Sequence, residues 1–154
     1  MKQIDILVAE DNRGDIHLVE QAFAERDLPG EIHSVQTGEE AIDFLSQRGP
    51  FAEAPRPDLI VLDLNLPVTS GPEVLTKIRS DPEFPPIPVI VLTGSRSDGD
   101  VTRMYSAGAN AYLRKPADPN DFMDRMERLV YFWAEEATLP PVEENSGEER
   151  STDQ

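Results

Sequence analysis

Four short apolar runs, separated by longer stretches with apolar residues at helical spacing, constrain the fold of this chain most strongly. The runs lie at residues 4–9, 59–62, 89–92 and 111–113, and their lengths are typical of buried strands rather than helices. Residues 31–35 form a further, more polar candidate strand. Strands that alternate with amphipathic helical stretches are typical of βαβ units. The chain is therefore predicted to be an α/β protein with a doubly wound, five-stranded parallel sheet.

Local start and stop signals place a helix after each strand. The first helix is predicted to start near Arg13 and to end before Pro29. The second is predicted to begin with a capping box of Thr37 and Glu40 and to end at Gly49. The remaining three helices are predicted to begin at the capping residues Ser70, Ser97 and Asp118.

Length and charge limit the domain count and the partners. A chain of 154 residues is long enough for one full core and too short for two ordinary domains. The formal net charge is -16, from 30 acidic against 14 basic residues, which disfavours nucleic acid or an anionic membrane as a partner. The basic residues are mostly Arg. Such a composition fits either a halophilic protein that stays soluble in concentrated salt or an ordinary acidic cytosolic protein.

The absence of Cys limits the possible site chemistry, and the two ends of the sequence predict the cellular location and the domain bounds. Without Cys, a disulfide framework, a thiolate metal site and a thiol nucleophile are excluded. The amino terminus runs straight into the first strand with no apolar signal region, so a cytoplasmic location is predicted. Residues 1–139 are predicted to form one domain. Residues 140–154 are acidic and polar, and they are predicted to be a disordered tail.

Polar residues follow four of the predicted strands directly. They are Glu10 and Asp11, Asp63, Thr93, and Lys115. Because the carboxyl ends of parallel strands form one edge of a sheet, and ligands bind there where the strand order reverses, these side chains are predicted to meet at one site. Three carboxylates, a hydroxyl and an ammonium can hold a divalent cation and a phosphoryl group together.

Each of these residues also has a simpler interpretation. A lone strand-end Asp63 would most often be a solvated loop residue or a cap. Asp11 or Asn12 could simply cap the first helix, although capping by Asn12 and metal binding by Asp11 are compatible. Thr93 alone is weak support for a site, and Lys115 could be a solvated lysine. The combination of all five residues favours the functional interpretation.

Four short motifs resemble those of response-regulator receiver domains. They are ILVAED at residues 6–11, VLDLNLP at 61–67, VLTGS at 91–95 and YLRKP at 112–116. The resemblance covers roughly residues 4 to 135, with the motifs in order and at family spacing. It implies a flavodoxin-like (βα)5 fold with strand order 2-1-3-4-5.

The resemblance also implies a role for each site residue. Asp63 would be the phospho-acceptor, and Glu10, Asp11, Asp63 and the backbone carbonyl of Asn65 would bind magnesium (Mg2+). Thr93 and Lys115 would contact the phosphoryl group. Thr93 would shift towards that group and draw Tyr112, at the aromatic switch position, between outward and inward rotamers. The Lys115–Pro116 peptide bond would be cis, as only an X-Pro bond can be at small cost.

A further likeness is to single-domain regulators of the cyanobacterial phytochrome type. It rests on Asn65-Leu66-Pro67 after the acceptor and on Phe132-Trp133 near the end of the last helix. Tyr131, Phe132 and Trp133 are consecutive, so one helical face cannot bury all three. Either the helix end packs under the tail, or the aromatic residues form an interface for a homodimer or a kinase contact.

The function implied is that of a stand-alone response regulator rather than an enzyme. It would take a phosphoryl group from a sensor histidine kinase and signal to a downstream protein target through conformational change. One alternative is a pseudo-receiver that binds partners without phosphorylation, although its acidic pocket would be broken and this one is complete. A magnesium-dependent phosphohydrolase is disfavoured because Asn65 stands where such enzymes carry a second Asp. A flavin module is disfavoured by carboxylates where the flavin phosphate needs donors.

Overall fold

The computed structural model describes residues 2–141, which form one five-stranded sheet with helices on both faces. The strands are β1 Ile4–Ala9, β2 Gly30–Val35, β3 Leu59–Leu62, β4 Val89–Thr93 and β5 Ala111–Arg114. The helices are α1 Arg13–Arg26, α2 Gly38–Ser46, α3 Gly71–Ser80, α4 Asp98–Ser106 and α5 Pro119–Tyr131. A 3-10 turn at Gly49–Phe51 follows α2, and a π-helical segment at Phe132–Glu136 continues α5.

The strand order is β2-β1-β3-β4-β5, and all neighbouring strands are parallel. The predicted fold class and strand order are therefore confirmed. The order reverses between β1 and β3, where Ala9 lies opposite Leu62. This reversal opens a crevice at the carboxyl ends of the two strands, which is where ligands bind in open α/β sheets.

Two hydrophobic cores cover the two faces of the sheet. Alternate residues of β1 point to opposite faces, so Leu7 belongs to the core under α2, α3 and α4, and Ile6 belongs to the core under α1 and α5. Both residues are fully buried. Burial on both faces explains why the central strands are continuous apolar runs rather than alternating ones.

The predicted caps are largely present, with one helix end misplaced. Ser70 and Glu73 form a complete capping box on α3. The Thr37 hydroxyl accepts from the Glu40 N–H, but the Glu40 carboxylate accepts from Gln36 rather than from the capping residue. Helix α2 ends at Ser46 and not at Gly49, because Gln47 adopts the left-handed conformation (φ 56°) that ends the helix.

Helix α4 is attached to the sheet by few apolar side chains. Met104 is the one buried residue that it contributes. The turn after it is held by Arg79 at the end of α3, which donates to Gly108 O (3.0 Å), Ile87 O (2.9 Å) and Asn110 Oδ1 (2.8 Å). Gly108 has φ 112°, and a Cβ there would lie 2.7 Å from Arg79 Cγ. The positive φ therefore favours glycine at this turn, and the Arg79 stem would have to shift to admit a Cβ.

The end of α5 leaves one aromatic ring partly in solvent. Tyr131 and Trp133 pack partly against the core under α1 and α5, whereas Phe132 is 50% exposed. The Trp133 ring meets the Phe132 ring edge to face, with centroids 5.3 Å apart. Of the predicted tail, residues 142–154 lie outside the described residues. Within the described part, no helix has the length and apolar character needed to cross a membrane.

Candidate functional site

The crevice between β1 and β3 is lined by buried polar side chains at the carboxyl ends of the strands. Asp63 follows β3 and is 7% exposed, and Glu10 follows β1 and is 5% exposed. Thr93 is the last residue of β4 and is buried as well. Because charged groups are rarely buried without partners, their position at one edge indicates a functional site.

Helix α3 begins very close to this crevice. Its first residue, Gly71, donates its N–H to Leu64 O at 3.0 Å. A Cβ on Gly71 would lie 2.4 Å from the carbonyl oxygen of Asp63, so only glycine permits this approach. The close contact of Gly71 with the backbone of Asp63 and Leu64 fixes the start of the loop that follows β3.

The ammonium of Lys115 lies among the carboxylates. Its Nζ is 2.8 Å from Glu10 Oε1 and 3.3 Å from Asp63 Oδ2. The shortest contact, 2.7 Å, is with Asp15 Oδ2. Residues that are far apart in sequence thus meet at one point, as the strand pattern predicts.

Asp15 is a site residue that the sequence interpretation missed. It lies in the first turn of α1, and its N–H donates to the Asn12 side chain that caps the helix. The available signal was an acidic residue in the first turn of a helix that starts at the carboxyl edge of the sheet. Such a residue is also favoured by the helix dipole alone, so the signal was ambiguous.

Three carboxylates could hold a divalent cation. Oxygen atoms of Glu10, Asp11 and Asp63 all lie within 4.8 Å of one another. Asp11 is exposed and Asn65, the predicted backbone ligand, is exposed nearby. The donor set consists of carboxylate oxygens, the ligands that magnesium and manganese prefer, so these residues fit such an ion.

Burial and neighbouring charges shift the pKa values in the crevice. Burial raises the pKa of Glu10 to about 7, and the charge of Asp63 adds to the shift, while the hydrogen bond from Lys115 opposes it. For Lys115, burial acts to lower the pKa, but hydrogen bonds to Asp15 and Glu10 and the charge of Asp63 outweigh it and raise the pKa. The raised pKa of Lys115 therefore keeps its ammonium charged at neutral pH.

The predicted switch residues lie on the neighbouring strands β4 and β5, where Thr93 pairs with Arg114 and Tyr112 pairs with Val91. Thr93 is 1% exposed, and its Oγ1 lies 3.5 Å from the N–H of Ser95. The Tyr112 hydroxyl donates to the carbonyl oxygen of Ser95 at 3.2 Å. The N–H of Tyr112 donates to the Tyr105 hydroxyl on α4 at 3.1 Å. Tyr112 therefore connects the loop after Thr93 with α4.

The peptide bond after Lys115 corrects one prediction. No cis bond occurs in the described part of the chain, so Lys115–Pro116 is trans and the expected cis bond is wrong for this structure. The trans form of an X-Pro bond is intrinsically favoured by about 0.5–1 kcal/mol. The Lys115 N–H also donates to Thr93 O at 2.8 Å, which continues the pairing of β4 and β5 up to this bond.

Known proteins share both the sequence and the fold. Residues 6–127 match the family described as response regulator receiver domain. Response regulator Rcp1 of Synechocystis sp. is 38% identical over 135 residues, covering 88% of this chain and 92% of Rcp1. The crystal structure of the phosphorylated cyanobacterial phytochrome response regulator RcpA has a TM-score of 0.84 at 41% identity, covering 90% of this chain and 99% of RcpA. The Mn(2+)-bound form of Rcp1 has a TM-score of 0.82 at 38% identity, with 90% and 99% covered.

Proposed function

Since the chain belongs to the response-regulator receiver family, we propose that it works as a phosphorylation switch whose acceptor is Asp63. The family is one of signalling domains rather than enzymes. The observation that supports the acceptor is the buried Asp63 carboxylate, 3.3 Å from the Lys115 ammonium and grouped with two other carboxylates. The donor would be a phosphohistidine of a sensor histidine kinase, as in other two-component systems.

The proposed step is a phosphoryl transfer to a carboxylate. An Asp63 oxygen attacks phosphorus, the P–N bond to the kinase histidine breaks, and an acyl phosphate forms on Asp63. The histidine leaves with the electron pair of that bond and takes up a proton. Lys115 places a fixed positive charge beside the new phosphoryl oxygens.

Glu10, Asp11 and Asp63 would hold Mg2+, with the backbone carbonyl of Asn65 as a further ligand. When bound, the cation offsets the negative charge of the phosphoryl oxygens. The structure of Rcp1 with Mn(2+) supports a divalent ion in a related receiver. The Lys115 ammonium contacts one oxygen of Glu10 and one of Asp63, so the cation would share these two carboxylates with Lys115.

Thr93 and Tyr112 would pass the conformational change from the phosphorylated site to α4. The Thr93 hydroxyl would bond the phosphoryl group, which moves the loop that carries Ser95. Because Tyr112 donates to Ser95 O and Tyr105 accepts from Tyr112 N–H, that movement would reach α4 directly.

The aromatic end of α5 is the proposed contact surface for a second copy or for the kinase. Phe132 is half exposed beside Trp133, and aromatic residues are enriched at interface cores. Sedimentation of Phe132→Ala should show a lower mass than the parent, or kinase binding should weaken. An unchanged mass together with unchanged kinase affinity would remove this surface from the proposal.

The acceptor itself is tested by intact mass after incubation with acetyl phosphate. The parent should gain one phosphoryl group only when Mg2+ is present, and Asp63→Asn should gain none. Asp15→Asn is the matched control, since Asp15 also contacts Lys115 but is not the proposed acceptor. Parallel samples in high salt test the halophilic interpretation of the acidic composition. No gain in any sample, together with no Mg2+ binding, would favour the pseudo-receiver alternative.

A further inference from the structure

A pocket beside β5 concentrates positive charge in a strongly acidic chain. It is an open depression of about 380 Å³ between the loop after β4, the end of β5 and α5. The arginines Arg96, Arg114 and Arg125 line it, together with Tyr112 and the stem of Lys115. The whole chain has a formal net charge of -16, so three arginines facing one cavity are not a consequence of composition.

These arginines are poorly neutralised within the described residues. The nearest carboxylate to any of them is Asp98, whose Oδ1 is 4.0 Å from Arg114 Nη2 and whose side chain is fully exposed. Arg125 donates to the backbone oxygen of Arg114 at 2.7 Å rather than to an acid. Positive groups that line one pocket repel one another, and an anion between them would relieve that repulsion.

Arg114 also carries an unsatisfied donor. Its Nε is buried and has no hydrogen-bond partner, the one such side-chain atom in the described part of the chain. Its Nη2 has only long contacts, 3.5 Å to Arg96 O and 4.0 Å to Asp98. The Nε and Nη2 donors of an arginine form the fork that binds the two oxygens of an oxyanion. A buried donor without a partner needs a physical explanation, and an anion that draws this guanidinium into the pocket would give the Nε donor a partner.

We propose that this pocket, lined by Arg96, Arg114 and Arg125, binds a small phosphate-type oxyanion. Three guanidinium groups suit a doubly charged tetrahedral anion better than a single carboxylate. The pocket is separate from the proposed acceptor site at Asp63, because the Lys115 ammonium contacts Asp63, Glu10 and Asp15 rather than the pocket. Since Tyr112 forms part of the wall, an occupied pocket would also bias the position of that ring.

The test uses inorganic phosphate as the probe, titrated calorimetrically at constant ionic strength with EDTA present. Arg114→Gln and Arg125→Gln should each weaken binding by roughly tenfold or more, the loss expected for one charge-assisted hydrogen bond. Arg128→Gln is the matched control, because Arg128 is an exposed arginine on the same helix that does not line this pocket. If Arg114→Gln does not fold, Arg125→Gln and Arg96→Gln carry the test.

Three results would overturn the proposal. The first is equal phosphate affinity in the parent, the pocket variants and Arg128→Gln. The second is loss of binding in Lys115→Ala with no loss in the arginine variants, which would place the anion at the acceptor site. The third is binding of a polyglutamate peptide that depends on Arg114 while phosphate does not bind, which would make the pocket a contact for acidic protein segments. The phosphate titration contains no phosphoryl donor, so its outcome is independent of whether Asp63 accepts phosphate.

Discussion

The hydrogen bonds of Arg79 should make it one of the few exposed residues whose loss destabilises the fold. Its guanidinium connects the end of α3 to Ile87 before β4 and to Gly108 and Asn110 before β5. A net hydrogen bond contributes about 1 kcal/mol, and solvent-exposed ones contribute less. Counting the partly buried bond to Ile87 O in full and the two exposed bonds at half gives about 2 kcal/mol for Arg79→Ala. Ordinary surface substitutions stay within about 0.5 kcal/mol.

Urea unfolding followed by circular dichroism measures this loss. With an m-value of about 2 kcal/mol/M, the midpoint of Arg79→Ala should fall by about 1 M. Arg79→Lys keeps the charge and the stem but has one nitrogen in place of the fork, so it should recover about half of the loss. Arg128→Ala controls for removing one positive charge from an acidic chain. An Arg79→Ala midpoint equal to that of Arg128→Ala would refute the assigned role, as would an Arg79→Lys midpoint equal to that of the parent.

Three other substitutions or conditions test separate parts of the structure. Met104→Ala should cost about 3 kcal/mol by cavity formation and should lower amide protection in α4 more than in α3, measured by hydrogen exchange. Val68 has φ 69° although it is β-branched, a conformation that strains the backbone. Val68→Gly should therefore raise the free energy of unfolding by about 1 kcal/mol. A lower stability of this variant in urea would contradict the strain. Because burial raises the pKa of Glu10 to about 7, protons should compete with Mg2+ as pH falls through 7. Calorimetry should then show weaker Mg2+ binding at pH 6 than at pH 8, with protons released on binding. Equal Mg2+ affinity at pH 6 and pH 8 would contradict the raised pKa of Glu10.

The sequence was most informative where one rule connects position with geometry. Glu10, Asp63 and Lys115 could be predicted to meet because each follows a strand and all strand ends share one edge of a parallel sheet. The caps at Ser70 and Asp118 were predictable because capping depends on residues within one turn. In these cases a local pattern and the topology determine the contact together.

Other features depend on packing that no local pattern specifies. Asp15 reaches Lys115 only because the first turn of α1 and the residue after β5 both lie at the crevice. No local pattern distinguishes Arg79, since its three acceptors are backbone and side-chain oxygens from other segments. The end of α2 was misplaced because Gln47 adopts a left-handed conformation that glycine usually supplies. In each case the deciding interaction is between segments distant in sequence or between competing backbone conformations.

Because α4 has a single buried residue, the balance between alternative positions of this helix should respond to groups that bind beside it. A helix held mainly by Met104 and by the turn that Arg79 fixes is expected to shift more readily than a helix with several core residues. Two arrangements that differ by a few kcal/mol leave the minor one at about 0.1–10% of molecules. Any group that contacts Tyr112 or Tyr105 better in the minor arrangement would shift that balance by its difference in affinity alone. The sheet would keep its structure while α4 changes position relative to it.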